Sequence, residues 1–250
     1  MAQVEEKLPL TVHLEELRKR LIRIFLSLGI FFCICYSQSR YLFDFISKPL
    51  VKVMPESSSL AMLKLTEGFF TELKLSFMAA LFFSMPFILY QLWKFITPGL
   101  YIHEKRYMVS FVMLSSLLFF LGAVFAYYLV FPFGFKFFLS YTSESVEAAL
   151  SLQWYLSFVT RLILGFGIIF ELPVFTLFLA KLGIVTADML RKYRRYAIVL
   201  LFVIAAIFTP PDVITQLMMA GPLIILYEVS IFVAKIFGKK KILKEEDIYE

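Results

Sequence analysis

Charge is scarce in this sequence. Asp, Glu, Lys and Arg make up 18% of its 250 residues, against about 25% in an ordinary soluble domain. With 60% of the residues apolar and 18% aromatic, a water-soluble globular fold has too little polar surface to cover itself and is excluded. Histidine is nearly missing: His13 and His103 are the only two, and both are expected on the inner rim of the protein. Cysteine is as rare. Cys33 and Cys35 form a C-x-C pair inside an apolar segment, strained if bonded to each other and without other ligands nearby, so they read as structural filler. H-E-x-x-H, G-x-S-x-G and a Walker-type glycine loop are all lacking, which argues against hydrolysis or nucleotide use within this chain. No catalytic residue, metal or cofactor is therefore expected, and the chain is not read as an enzyme. An internal repeat of the kind many secondary transporters carry is missing too. The net charge of +6 does not signal nucleic acid, because the positive residues sit in short loops, where they orient helices and attract anionic lipid.

What the sequence does have is long apolar runs. They predict an all-α polytopic membrane protein, since only helices or closed barrels satisfy their backbone within lipid. Six transmembrane helices are expected in a single integral membrane domain, at roughly 20–37, 69–93, 107–131, 154–180, 196–209 and 213–237. The predicted shape is a kinked bundle with a concave face and a short hairpin from the fifth and sixth helices. The charge count orients it. The amino terminus, the second and fourth loops and the carboxyl terminus hold 18 of the 25 Lys and Arg residues, and the other three loops hold five. Both termini are thus predicted on the cytoplasmic side of the membrane. The first apolar segment follows several charges and has no A-x-A site after it, so it is not expected to be a cleaved signal peptide.

The fourth run, 155–180, would be about 39 Å long as a helix, more than a hydrocarbon core of roughly 30 Å, so tilt or a kink is expected. Arg161 can snorkel toward the interface at Trp154. Glu171 has no such exit and sits near mid-membrane, where an acid is either a protonated, hydrogen-bonded helix glue or a polar site for a partner or cargo. Pro173 cannot donate to the carbonyl of Ile169 and opens that turn. Gly165 and Gly167, just before it, would let another helix approach closely.

Elsewhere the chain is punctuated by proline. Pro86 is expected to kink the second span and Pro132 to end the third. Pro98-Gly99 makes a turn beside interfacial aromatics. The fifth apolar run is about 18 Å long before Thr209-Pro210-Pro211-Asp212, and Pro222 is expected to break the returning helix near a buried-looking Glu228. The long loop from 37 to 67 predicts either amphipathic helical pieces on the interface or a cap over the bundle. A second outer loop, 133–153, suggests a piece lying at the interface. At the amino end, Leu10, Leu14, Leu17 and Leu21 form a helical stripe. Glu15 and Glu16 stand four residues before Lys19 and Arg20, so they are either intrahelical ion pairs or a rim on which one acid faces a cationic ligand. Glu104 is either a partner of His103 and Lys105 or a second such acid.

Acids in a partly desolvated rim are good receptors for guanidinium groups, which bind carboxylates through two bonds. The residues carrying this chemistry fall into motifs: His13-Leu14-x-Glu16-Leu17-Arg18-x-Arg20, Lys48-Pro49-Leu50, Trp93-x-Phe95-x-x-Pro98-Gly99-Leu100-Tyr101-x-x-Glu104, Phe170-Glu171-x-Pro173 and Thr209-Pro210-Pro211-Asp212-x-x-x-Gln216. In this order and spacing the chain resembles the TatC family of the twin-arginine protein translocase over essentially its whole length. The resemblance implies recognition of twin-arginine signal peptides on folded cargo, work with TatA- and TatB-type single-span partners in a multi-copy complex, and export driven by the protonmotive force. It implies that Glu16 and Glu104 contact the arginine pair, with Phe95, Leu100 and Arg18 shaping that surface. Glu171 and Gln216 would dock a partner helix or the apolar part of the signal peptide. Pro49, Pro86, Pro98, Gly99, Pro173, Pro210 and Asp212 are carried over as structural or motif positions. The alternatives are a proton-coupled small-molecule transporter, for which only Glu171 and Glu228 are evident in the membrane, and an intramembrane enzyme, for which no nucleophile–base pair stands out.

Overall fold

The computed structural model describes residues 10–52, 54, 59–62, 64, 66–96, 108–140, 149–209 and 213–238. Helix α1 (Leu10–Ser37) leads into α2 (Ser39–Val51), strand β1 (Ser59–Ala61), α3 (Glu67–Ile96) and α4 (Met108–Phe125). A π-helical turn, Ala126–Val130, joins α4 to α5 (Phe131–Leu139). After strand β2 (Ala149–Ser151) come α6 (Leu152–Ile169), α7 (Leu172–Lys181), α8 (Ala187–Lys192), α9 (Arg194–Phe208) and α10 (Val213–Phe237). Among the described residues, five helical stretches are long and apolar enough to cross a membrane: Thr11–Ser37, Glu67–Ile96, Met108–Phe137, Leu152–Lys181 and Val213–Phe237. Helix α9, with 15 residues, is only about 22 Å long.

The chain packs as two compact units, Met1–Phe43 with Glu72–Ser116 and Asp44–Thr71 with Leu117–Glu250. In the first, α1 exposes apolar and charged residues alike. Leu14 and Leu21 of its apolar stripe are exposed, whereas Arg20 is buried. That arrangement suits a lipid surround, where leucine outside costs nothing and a charge must find its partner within. On α3, the buried hydroxyls Ser76 and Ser84 donate back to the carbonyls of Glu72 and Leu81 at 2.7 and 3.1 Å, which lets polar residues pack in the interior. Trp93 ties α3 to α4: its Nε1 donates to Ser115 Oγ at 3.2 Å, and its ring stacks on Phe111 with centroids 5.0 Å apart.

In the second unit, α6 and α7 are one run broken at a single step. Pro173 brings no N–H to the carbonyl of Ile169. Phe170 N–H still donates to Phe166 O at 2.9 Å, Glu171 N–H shifts to the nearer Ile168 O at 3.1 Å, and Phe175 N–H resumes on Glu171 O at 2.9 Å. The two glycines before the break are close-approach points, as their spacing predicts. A Cβ on Gly165 would lie 2.8 Å from the Phe208 ring, and one on Gly167 would lie 2.6 Å from the Phe119 ring.

Several expectations are corrected. Pro132 does not end the third span, because the chain stays helical to Leu139. The π turn just before it lets Phe131 N–H reach Ala126 O, five residues back, and this change of ladder register accommodates the missing donor. Pro222 does not break its helix either, since α10 runs through it. The residue before it is Gly221, which has no Cβ to clash with the proline ring in the helical conformation. Glu228 is not buried: its side chain is 40% exposed and pairs with Arg194. The loop from 37 to 67 does contain a helical piece, α2, one of the two alternatives expected there, and the second outer loop holds the end of α5. Strands β1 and β2, which the sequence did not suggest, pair in parallel with Leu60 opposite Leu150.

Candidate functional site

One polar cluster in the first unit is built from one face of α1 and the last turns of α3. Residues 13, 16 and 20 recur at helical spacing and so share a face of α1, and 91 and 95 do the same on α3. His13 stacks on Phe95 with ring centroids 4.4 Å apart and planes 25° from parallel. One to two turns further on, Arg20 Nε donates to Glu16 Oε1 at 3.1 Å, and its Nη2 donates to the same oxygen. Arg20 Nη1 donates to Gln91 Oε1 at 3.3 Å. The Arg20 and Glu16 side chains are 8% and 29% exposed, so the acid lies between the buried cation and the outside.

This geometry separates the two neighbouring acids. Glu15 pairs with Lys19 at 2.7 Å with both side chains more than 60% exposed, a contact that the surroundings screen to little value. Glu16 is the one turned into the cluster. Arg18 is exposed and stands two residues from Glu16, about 200° around the helix. Glu104 and Leu100, with Pro98, Gly99, Pro210 and Asp212, lie outside the described residues.

The intramembrane acid belongs to the second unit. Glu171 sits in the step between α6 and α7 with backbone angles still in the helical region, and its Oε1 is buried. Phe125 packs against both Phe166 and Phe170 at 5.6 Å, making the turn before it aromatic. Gln216 is engaged within the hairpin: its Nε2 donates to the carbonyl of Phe202 at 3.0 Å, pinning α10 to α9. Pro49 is buried within α2, and Pro86 lies inside α3 without ending it.

Sequence reasoning missed Gln91 as a member of the cluster and read Arg20 as an intrahelical partner and motif residue. The i,i+4 spacing of Glu16 and Arg20 was visible, but the buried contact of Arg20 with Gln91, 71 residues away, was not. Chemically, the cluster is a carboxylate held by a guanidinium, which an amide holds in turn, beside an aromatic stack. Such a carboxylate can accept hydrogen bonds from cationic donors.

Fold and site define a helical membrane protein that carries a partly exposed carboxylate paired with a buried guanidinium. Residues 12–222 match the family described as Sec-independent protein translocase protein (TatC). The "Sec-independent protein translocase protein TatC" of Desulforapulum autotrophicum is 45% identical over 250 residues, covering 100% of this chain and 93% of the relative. That of Magnetococcus marinus is 45% identical, covering 97% and 89%. A crystal structure described as "Twin Arginine Translocase Receptor- TatC in DDM" superposes with a TM-score of 0.83 at 42% identity, over 90% of this chain and 100% of the other. The chain belongs to the TatC family.

Proposed function

We propose that this chain is the core, signal-peptide-binding subunit of a twin-arginine translocase. Glu16 receives one arginine of the signal peptide, and Glu104, placed by its motif alone, receives the other. Phe95 and Leu100 flank that surface, while Arg18 faces the polar phase beside it. The observation that carries this reading is that Glu16, a partly exposed acid, already accepts two guanidinium N–H groups. The site therefore has the shape and charge to hold a guanidinium, a group that carboxylates bind through charge-assisted bonds. A carboxylate fixed before the ligand arrives also loses less freedom on binding.

In this reading the chain lies in the inner membrane with six spans and both termini cytoplasmic, in a multi-copy complex with TatA- and TatB-type single-span proteins. The protonmotive force drives passage of folded cargo. Glu171 serves as the intramembrane dock for a partner helix or the apolar part of the signal peptide. Gln216 supports that dock by holding the hairpin.

Titration of a fluorescent twin-arginine peptide against the full chain in nanodiscs tests the receptor assignment. Glu16→Ala and Glu104→Ala are each expected to weaken binding by at least about tenfold, the worth of one hydrogen bond to a charged group, with the melting transition retained. Undiminished binding in the double substitution rules the assignment out.

A further inference from the structure

Resting on that receptor reading, we propose that Arg20 is a resident competitor for the receptor acid. Its guanidinium holds Glu16 until a cargo guanidinium displaces it onto Gln91, and this exchange makes the site select arginine over lysine.

Arg20 is 7% exposed, a burial that arginine tolerates only when paired. Its pairing is lopsided. Nε at 3.1 Å and Nη2 converge on one oxygen, Glu16 Oε1, while Oε2 accepts nothing from a described residue. A guanidinium binds a carboxylate best with two parallel bonds, one to each oxygen. The resident pair therefore leaves the better geometry open to a newcomer, and Glu16 is the more exposed partner of the two.

Gln91 supplies the place to which Arg20 falls back. Its Oε1 already accepts Arg20 Nη1 at 3.3 Å. It carries no charge, so it does not attract the incoming cation. Gln91 is itself buried, and without Arg20 its carbonyl oxygen would lose this donor.

Electrostatics sets the threshold. Glu16 and Arg20 together are neutral, and a second cation added beside a fixed Arg20 would be repelled by it. A ligand must either displace Arg20 or bind against that repulsion. Guanidinium can displace it by exchanging a one-oxygen contact for a two-oxygen one. A lysine ammonium is a compact, strongly hydrated donor with no such fork. It is left with Oε2 and the repulsion.

The test is binding of two peptides, identical but for an Arg-Arg or a Lys-Lys pair, to the full chain in nanodiscs. Arg20→Gln removes the competitor. It is expected to tighten Arg-Arg binding about tenfold, the worth of one charge-assisted bond, and Lys-Lys binding by more, so that the preference for arginine shrinks. Weaker Arg-Arg binding at unchanged preference would show that Arg20 only positions Glu16, and would overturn the proposal. Should Arg20→Gln fail to fold, Arg20→Lys decides: a smaller arginine preference supports displacement, and an unaltered one refutes it. A Glu16→Gln protein that binds both peptides like wild type would instead remove the receptor assignment, and this proposal with it.

Discussion

Glu67 brings a carboxylate to a position only 4% exposed, at the start of α3. Its Oε1 accepts from Ser151 Oγ at 3.1 Å and from Gln153 N–H at 2.8 Å, and its Oε2 accepts from Lys64 N–H at 3.2 Å. Gln153 lies in the first turn of α6, whose N–H groups have no partner inside the helix. Ser151, the residue capping that helix, spends its oxygen on Trp154 N–H at 3.4 Å. Glu67 thus completes a cap that Ser151 begins, and a negative charge there is favoured by the helix dipole. Glu67→Ala would leave these donors without their acceptor and is expected to cost about 2–3 kcal/mol. Glu67→Gln, which keeps one acceptor oxygen, should cost about 1 kcal/mol. Reversible unfolding in mixed micelles measures both, and equal losses would show that charge rather than hydrogen bonding is what matters at this position. Nothing in the local sequence marks Glu67 in this way. Its partners at 151 and 153 lie more than eighty residues downstream, and periodicity reports only on neighbours along one element. Glu16 was legible from its partner four residues away and from its place in the motif; that it turns into the cluster while Glu15 does not came from packing.

At the scale of an element, each proline inside a helix poses the same question, namely what replaces the missing donor, and the answers differ. In α2, Pro49 leaves the carbonyl of Phe45 without its i+4 partner. Tyr127 answers from 82 residues away, donating its hydroxyl to Phe45 O at 2.6 Å and stacking its ring on Phe45 at 4.8 Å. Tyr155 donates to the next carbonyl, Ile46 O, also at 2.6 Å. Pro49 is therefore a docking device: by opening a carbonyl it gives α2 an acceptor that a distant tyrosine can take. A double-mutant cycle tests this. Tyr127→Phe keeps the ring stack and should cost about 1–2 kcal/mol. In a Pro49→Ala background, where the restored backbone N–H can donate to Phe45 O, the same substitution should cost about 1 kcal/mol less. Additive losses would show that the tyrosine and the proline act independently. This also explains which helix breaks were legible. Pro173 opens its ladder as its position predicts. Pro132 and Pro222 do not end their helices, because a π turn before one and a glycine before the other relieve the clash. A proline rule applied residue by residue sees the lost bond but not the local remedy.

For the whole molecule, composition and the distribution of positive charge carry most of what the sequence can tell, because lipid imposes the same demand on every span. Apolar run length was the guide to the long helices: Glu67–Ile96, Leu152–Lys181 and Val213–Phe237 lie within a few residues of the expected runs, the first begins nine residues early, at Thr11, and the third extends past Pro132 to Phe137. The fifth is the instructive case. Helix α9 has 15 residues, about 22 Å, so length alone does not make it a crossing of a core of about 30 Å. Its place is set by α10. Gln216 reaches Phe202 O, Arg194 pairs with Glu228, and Tyr227 donates to Leu190 O at 2.8 Å. These contacts fasten the hairpin near its turn and at its basic end. If α9 crosses, Val213 meets the outer phase through a locally thinned bilayer, while α8 stays with the basic residues inside. Single cysteines in a chain lacking Cys33 and Cys35 distinguish the cases. Val213 is 70% exposed and the Asp188 side chain 92% exposed, so neither substitution disturbs packing. A membrane-impermeant maleimide applied to intact cells should label Val213→Cys and reach Asp188→Cys only after permeabilisation. Both positions reacting from the same side would mean that α9 turns back without crossing, leaving five spans and placing the carboxyl terminus opposite the amino terminus. That outcome conflicts with the basic residues at both ends of the chain, each of which favours the cytoplasmic face.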